Sequence, residues 1–161
     1  MTGMVGALLI TGAGGALGFA YAEKSKTELA ATEALTDFFE HLLLRLPSLA
    51  FMEELFDEFE NPTLKRLGFT AILKTGVGAC NKRYLAAIEL FRDDKQLYPI
   101  LQKAGQHLGG TEYSLQSASL STAKECLQLL SEKRRVSFAA GEKCYRWLGV
   151  LMGAAISILM L

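Results

Sequence analysis

Apolar residues recur at helical spacing along most of this chain. Leu35, Phe38, Phe39, Leu42, Leu43 and Leu46 follow one another at three- and four-residue steps, which predicts a helix over roughly 28–46. Pro47 closes it. Met52, Leu55, Phe56 and Phe59 stripe a short second helix. Asn61-Pro62 reads as an N-cap with proline at the first helical position, opening a third that carries Leu64, Leu67 and Ala71 until Gly76-Val77-Gly78 breaks it. Asn81 then caps a fourth with Tyr84, Ala87, Ile88 and Phe91. Leu97, Ile100, Leu101, Ala104 and Leu108 stripe a fifth, which Gly109-Gly110 stops and after which Thr111 caps the last.

From Thr111 onward no proline occurs, and Gly141 is the one interruption before Gly149. Leu120, Ala123, Leu127 and Leu130 stripe the first part of this helix, and Phe138, Tyr145, Leu148 and Met152 continue it. At 1.5 Å per residue it would reach about 75 Å. Nowhere does a period of two persist long enough for a strand. The pattern therefore predicts an all-α chain whose centre is a bundle of about six helices.

Charge changes this picture at the two ends. The 17 Lys+Arg and 17 Asp+Glu all lie between Glu23 and Arg146. Residues 1–22 and 147–161 carry none, which explains a mean hydropathy of +0.22 in a chain with 21% charged residues. A helix crossing a bilayer needs about 20 apolar residues. The first stretch meets this. The second is short, with Arg146 able to snorkel and Tyr145 and Trp147 suited to the interface. Three parts are thus expected: an N-terminal transmembrane helix at 1–22, a helical bundle at 23–146, and a C-terminal transmembrane helix at 147–161 continuous with the last bundle helix. Gly14 and Gly18, and again Gly149 and Gly153, form G-x-x-x-G pairs that let membrane helices approach closely. Lys24, Lys26, Lys143 and Arg146 flank the two spans on the bundle side, so the positive-inside rule places the bundle in the cytosol.

Three other readings compete for the N-terminus, the first a buried core helix, which two apolar ends flanking one charged block fit less well than membrane segments. Ala20-Tyr21-Ala22 is an A-x-A cleavage site after an apolar run, although Met1-Thr2-Gly3 supplies no positive charge. An exported helical protein cleaved after Ala22 follows from it. Val5–Ile10 followed by Thr11–Gly18 imitates a strand and a glycine-rich dinucleotide loop, with Asp37 about where a ribose-binding acid would fall. However, Leu17 and Ala16 stand where the two usual forms of that loop need glycine, and Asp37 lies in a predicted helix. A membrane-bound nucleotide-dependent enzyme is the corresponding alternative.

Elsewhere the chain is poor in catalytic groups. His41 and His107 are not spaced as ligands of one site, and each reads as a surface or edge histidine. Cys80, Cys126 and Cys144 form no C-x-x-C and read as reduced, small apolar residues. The run Glu53, Glu54, Asp57, Glu58, Glu60 reads as a cation site, a docking face or, more simply, a solvated face. For Lys133-Arg134-Arg135 the simple reading is again a solvated face, with anionic headgroups or an acidic partner as the alternative. The balanced charge argues against nucleic acid. No catalytic, cofactor or metal residue is assigned.

The plan as a whole resembles the stage III sporulation protein AB family of endospore-forming bacteria. Leu108-Gly109-Gly110-Thr111-Glu112-Tyr113-Ser114-Leu115-Gln116 carries the resemblance: the family has Leu-Gly, a polar Ser-Asp cap and a Gln a few residues on. Leu108, Gly109 and Gln116 match, whereas Gly110-Thr111 or Thr111-Glu112 replaces the Ser-Asp pair. Leu148-Gly149-Val150-Leu151-Met152-Gly153 before an apolar run is the second match. The resemblance implies a helical domain similar to the cytoplasmic domains of type II secretion F proteins. It further implies a non-catalytic component, on the mother-cell side, of the stage III A channel between mother cell and forespore. The partners implied are the other stage III A proteins, including a secretion-type ATPase, together with membrane lipid, in an oligomeric complex.

Overall fold

The computed structural model describes residues 22–47, 52–109 and 112–141 in full, and the helical backbone alone at 2–21, 48 and 142–159. Every regular element among the described residues is helical: α1 (Thr2–Arg45), α2 (Met52–Glu58), α3 (Pro62–Arg66), α4 (Phe69–Thr75), α5 (Cys80–Ile88), α6 (Tyr98–Gly105) and α7 (Tyr113–Leu159). Two 3-10 turns, Leu46–Ser48 and Glu89–Phe91, join them. Among the described residues no helix is long and apolar enough to cross a membrane. The spans expected at 1–22 and 147–161, with their Gly14, Gly18, Gly149 and Gly153 contacts, lie outside the residues described in full, apart from Ala22.

The chain divides into two compact units, residues 30–132 and residues 1–29 with 133–161. The first contains the hydrophobic core. Ala31, Ala34, Leu35, Phe38, Phe39 and Leu42 of α1 are buried, as are Leu120, Ala123, Leu127 and Leu130 of α7. Phe38 lies at the centre, its ring 5.1–5.9 Å from those of Phe39, Phe56, Phe59 and Phe69. Each such edge-to-face or tilted pair adds about 0.5–1.5 kcal/mol to simple burial. In the second unit, Arg134 Nη1 of α7 donates to the backbone carbonyl of Glu28 on α1 at 3.0 Å.

The apolar stripes sort the core well, and the helix ends depart from expectation in four places. First, α1 runs unbroken from Thr2, so the helix expected over 28–46 is its second part. Second, the predicted third helix is two. Gly68 takes a left-handed conformation with φ +84°, open to glycine at little cost. The turn brings Phe69, Thr70 and Leu73 inward and leaves Ala71 exposed. Third, α5 starts two residues early. Ala79 is its N-cap, through carbonyl bonds from Lys82 and Arg83 N–H at 2.9 and 3.2 Å, while Asn81 sits exposed inside the helix. Cys80 extends the buried stripe of Tyr84, Ala87 and Ile88 backward, and burying it decides the start. Fourth, the described residues hold seven α-helices where about six were expected. Asn61 behaves as predicted: Thr63 and Leu64 N–H donate to its Oδ1 at 2.9 and 3.3 Å. The long last helix is also found, although Thr111 as its cap lies outside the described residues.

Candidate functional site

The motif Leu108, Gly109 and Gln116 joins the end of α6 to the start of α7. Leu108 is buried, Gly109 is left-handed at φ +83°, and Gln116 is one of few buried polar side chains. A Cβ at Gly109 would stand 3.4 Å from Cys80 Cβ, an ordinary contact, so the backbone angle is what calls for glycine. The connection therefore packs on the first turn of α5. There burial pushes the Cys80 thiol up to about 12, with Arg83 opposing and Glu53 reinforcing the shift. At neutral pH it is a protonated, poorly nucleophilic thiol.

Arg83 links this region to the acidic run. Its guanidinium lies 3.3 Å from Glu53, with only 10% of the side chain exposed. Arg45 approaches Glu58 at 3.9 Å and Lys74 approaches Glu60 at 3.6 Å. Three of the five carboxylates in the run thus face cations supplied by α1, α4 and α5. The acidic run fastens α2 and the loop after it onto the bundle, and no group of three or more His, Cys, Asp or Glu suited to a metal gathers among the described residues. The exposed Arg45–Glu58 pair contributes about 0–1 kcal/mol.

His41 is more enclosed than a surface histidine. Its ring lies 5.4 Å from that of Phe59, and its Nε2 is buried without a protein hydrogen-bond partner, as is Nε of Arg83. His107 is exposed just beyond α6, as expected. Backbone positions 11–18 lie within α1, and so does Asp37, whereas a dinucleotide loop needs a strand, a turn and a helix in succession. Asp37 has its carboxyl raised by partial burial, then by Glu40 and Glu33. Between α6 and α7 an open groove of about 720 Å³ is lined by Ile100, Lys103 and His107 on one side and Leu115, Thr122 and Cys126 on the other.

Two features escaped the sequence reading. Tyr84 is wholly buried, and its hydroxyl donates to the Leu101 carbonyl at 2.9 Å, joining α5 to α6. Burial raises its phenol well above the usual range. Gly105 lets α6 meet that ring: a Cβ there would fall 2.8 Å from Tyr84 Cε1. Asp94 caps the turn into α6, its Oδ1 accepting from Gln96 and Leu97 N–H at 3.1 and 3.0 Å. An aspartate three residues ahead of a predicted stripe is a cap signature that could have been read.

The family model described as stage III sporulation protein AB matches residues 75–161. The chain belongs to this family. The matched segment in this stage III sporulation protein AB chain runs from the last residue of α4 through α5, α6 and α7. It contains Cys80, Tyr84, Gly105 and the Leu108, Gly109 and Gln116 motif, and so the approaches of Gly105 to Tyr84 and of Gly109 to Cys80. No curated protein and no solved structure matches the chain.

Proposed function

We propose that this protein is a membrane-anchored, non-catalytic platform component of the stage III A channel between mother cell and forespore. Family membership carries the reading, because it makes this a sporulation stage III protein. Its apolar ends fit anchoring. Residues 1–22 and 147–161 are free of charge, and the 17 Lys+Arg lie between them, which favours a central domain facing the mother-cell cytosol. A packed all-helical unit with its acidic helix tied down by ion pairs suits a docking role. The partners are the other stage III A proteins and their secretion-type ATPase, and the bundle serves as a platform of the type II secretion F kind.

Purification of the tagged full chain from sporulating cells tests the proposal. The other stage III A proteins, the ATPase among them, are expected to co-purify, and deletion of the gene is expected to arrest sporulation at stage III. Normal sporulation without the chain, or no such partner retained, overturns the platform role. Saturable thermal stabilisation by NAD(P)H that Gly12→Val abolishes would overturn the non-catalytic reading instead.

A further inference from the structure

The zero net charge of the chain conceals a division between its two units. In the unit of residues 1–29 and 133–161, Lys24 and Lys26 lie on α1, Lys133, Arg134 and Arg135 on α7, and two further cations follow at 143 and 146. The carboxylates of this unit are Glu23, Glu28 and Glu142, so seven positive charges against three negative give +4. The unit of residues 30–132 keeps the other ten of the 17 cations and the other fourteen of the 17 carboxylates, which gives −4. All charges of the positive unit fall within 23–29 and 133–146, directly beside the charge-free segments.

Lys24, Lys26, Lys133 and Arg135 are exposed. Lys24 meets Glu28 at 3.8 Å with 75% of its side chain in solvent, a geometry in which an ion pair neutralises little. Arg134 is half-buried and bonded to the Glu28 carbonyl, which ties α7 to α1 within this unit. We infer that the positive unit binds anionic lipid headgroups, of the phosphatidylglycerol type, where its charged turns adjoin the apolar ends. This rests on the membrane reading above and adds a lipid preference to it. Each Lys or Arg near an anionic surface gains about fivefold in binding, equivalent to about 1 kcal/mol. The attraction decays over about 8 Å at physiological salt, so residues next to the apolar ends carry it.

The full chain, in nonionic micelles holding equal phosphatidylglycerol and phosphatidylcholine, provides the test, with retained lipid read by native mass spectrometry. Phosphatidylglycerol is expected to be retained preferentially, and Lys133→Gln and Arg135→Gln each to lower that preference about fivefold. Lys95→Gln with Lys103→Gln, which removes two cations from the other unit, is expected to leave it unchanged. No preference in the wild-type chain overturns the inference and reassigns the charges to an acidic protein partner. Equal loss in the Lys95 and Lys103 variant also overturns it, as an effect of total charge. Carbonate extraction separates this from the reading beneath it: a chain that stays in the membrane pellet without lipid preference sinks the inference alone, and a chain released by carbonate sinks both.

Discussion

Gly105→Ala tests how α5 and α6 are held together. The added methyl carbon would lie 2.8 and 2.9 Å from Tyr84 Cε1 and Cδ1 and 3.2 Å from Leu85 Cδ2. The Tyr84 ring has no room to swing away, being fully buried with its hydroxyl bonded to Leu101 at 2.9 Å. Overpacking of this kind costs about 1–3 kcal/mol. Against it stands the alanine advantage of about 0.4–1 kcal/mol from a less flexible unfolded chain. The clash wins, with a net loss of about 1–2 kcal/mol. For a chain of this size each kcal/mol lowers Tm by roughly 2–4 °C. Thermal melts of wild type, Gly105→Ala, Tyr84→Leu and the double variant separate the terms. In the Tyr84→Leu background, which removes the ring edge, Gly105→Ala should cost little or stabilise. Coupling of at least about 1 kcal/mol between the two sites is expected. A Gly105→Ala variant as stable as wild type, or one whose loss persists unchanged in the Tyr84→Leu background, would refute the close-approach argument.

Asn61→Ala removes the acceptor of two N–H groups at the start of α3 and should cost about 0.5–2 kcal/mol by chemical denaturation, with Asn61→Asp close to wild type. The Asp37 carboxyl is raised above its ordinary 3.8, so its proton binds more tightly in the fold than in the unfolded chain. The stability linked to that proton is complete below the ordinary value and lost as pH rises through the raised one. Asp37→Asn should therefore melt above wild type at pH 7, by about 0.2–0.5 kcal/mol for each like-charge neighbour relieved, and level with it at pH 3. A gain of equal size at both pH values contradicts this. With Cys126 and Cys144 replaced by serine, Cys80 should react with a thiol reagent at pH 8 only after denaturant is added, because its thiol is held near 12 and buried. Fast reaction of the native chain would contradict that packing.

The sequence shows which residues form the core more clearly than where helices end. A stripe such as Leu35, Phe38, Phe39 and Leu42 records burial directly, since apolar residues repeat with the helix period. Helix ends depend on competition among tertiary contacts. Gly68 looks like a mid-helix glycine in sequence, and only the burial of Phe69 against Phe38 and Phe91 reveals it as a turn. Asn81 has the chemistry of a cap, yet Ala79 takes that position, two residues earlier, and the helix begins with the buried Cys80. The acidic run shows the same limit. Its partners Arg45, Lys74 and Arg83 come from three helices distant in sequence, so no local pattern announces that Glu53, Glu58 and Glu60 are paired. The family motif was legible as letters. The left-handed backbone at Gly109 supplies the physical reason for one of them.

Membrane anchoring with the bundle facing the cytosol is the central claim, and labelling of a single introduced thiol tests it most directly. Val77, on the loop between α4 and α5, is 97% exposed. Val77→Cys in the full chain is expected to gain no label over the parent when intact cells meet a membrane-impermeant maleimide, and to label fully once the membrane is permeabilised. Reaction of that thiol from outside intact cells would contradict the orientation on which the account rests.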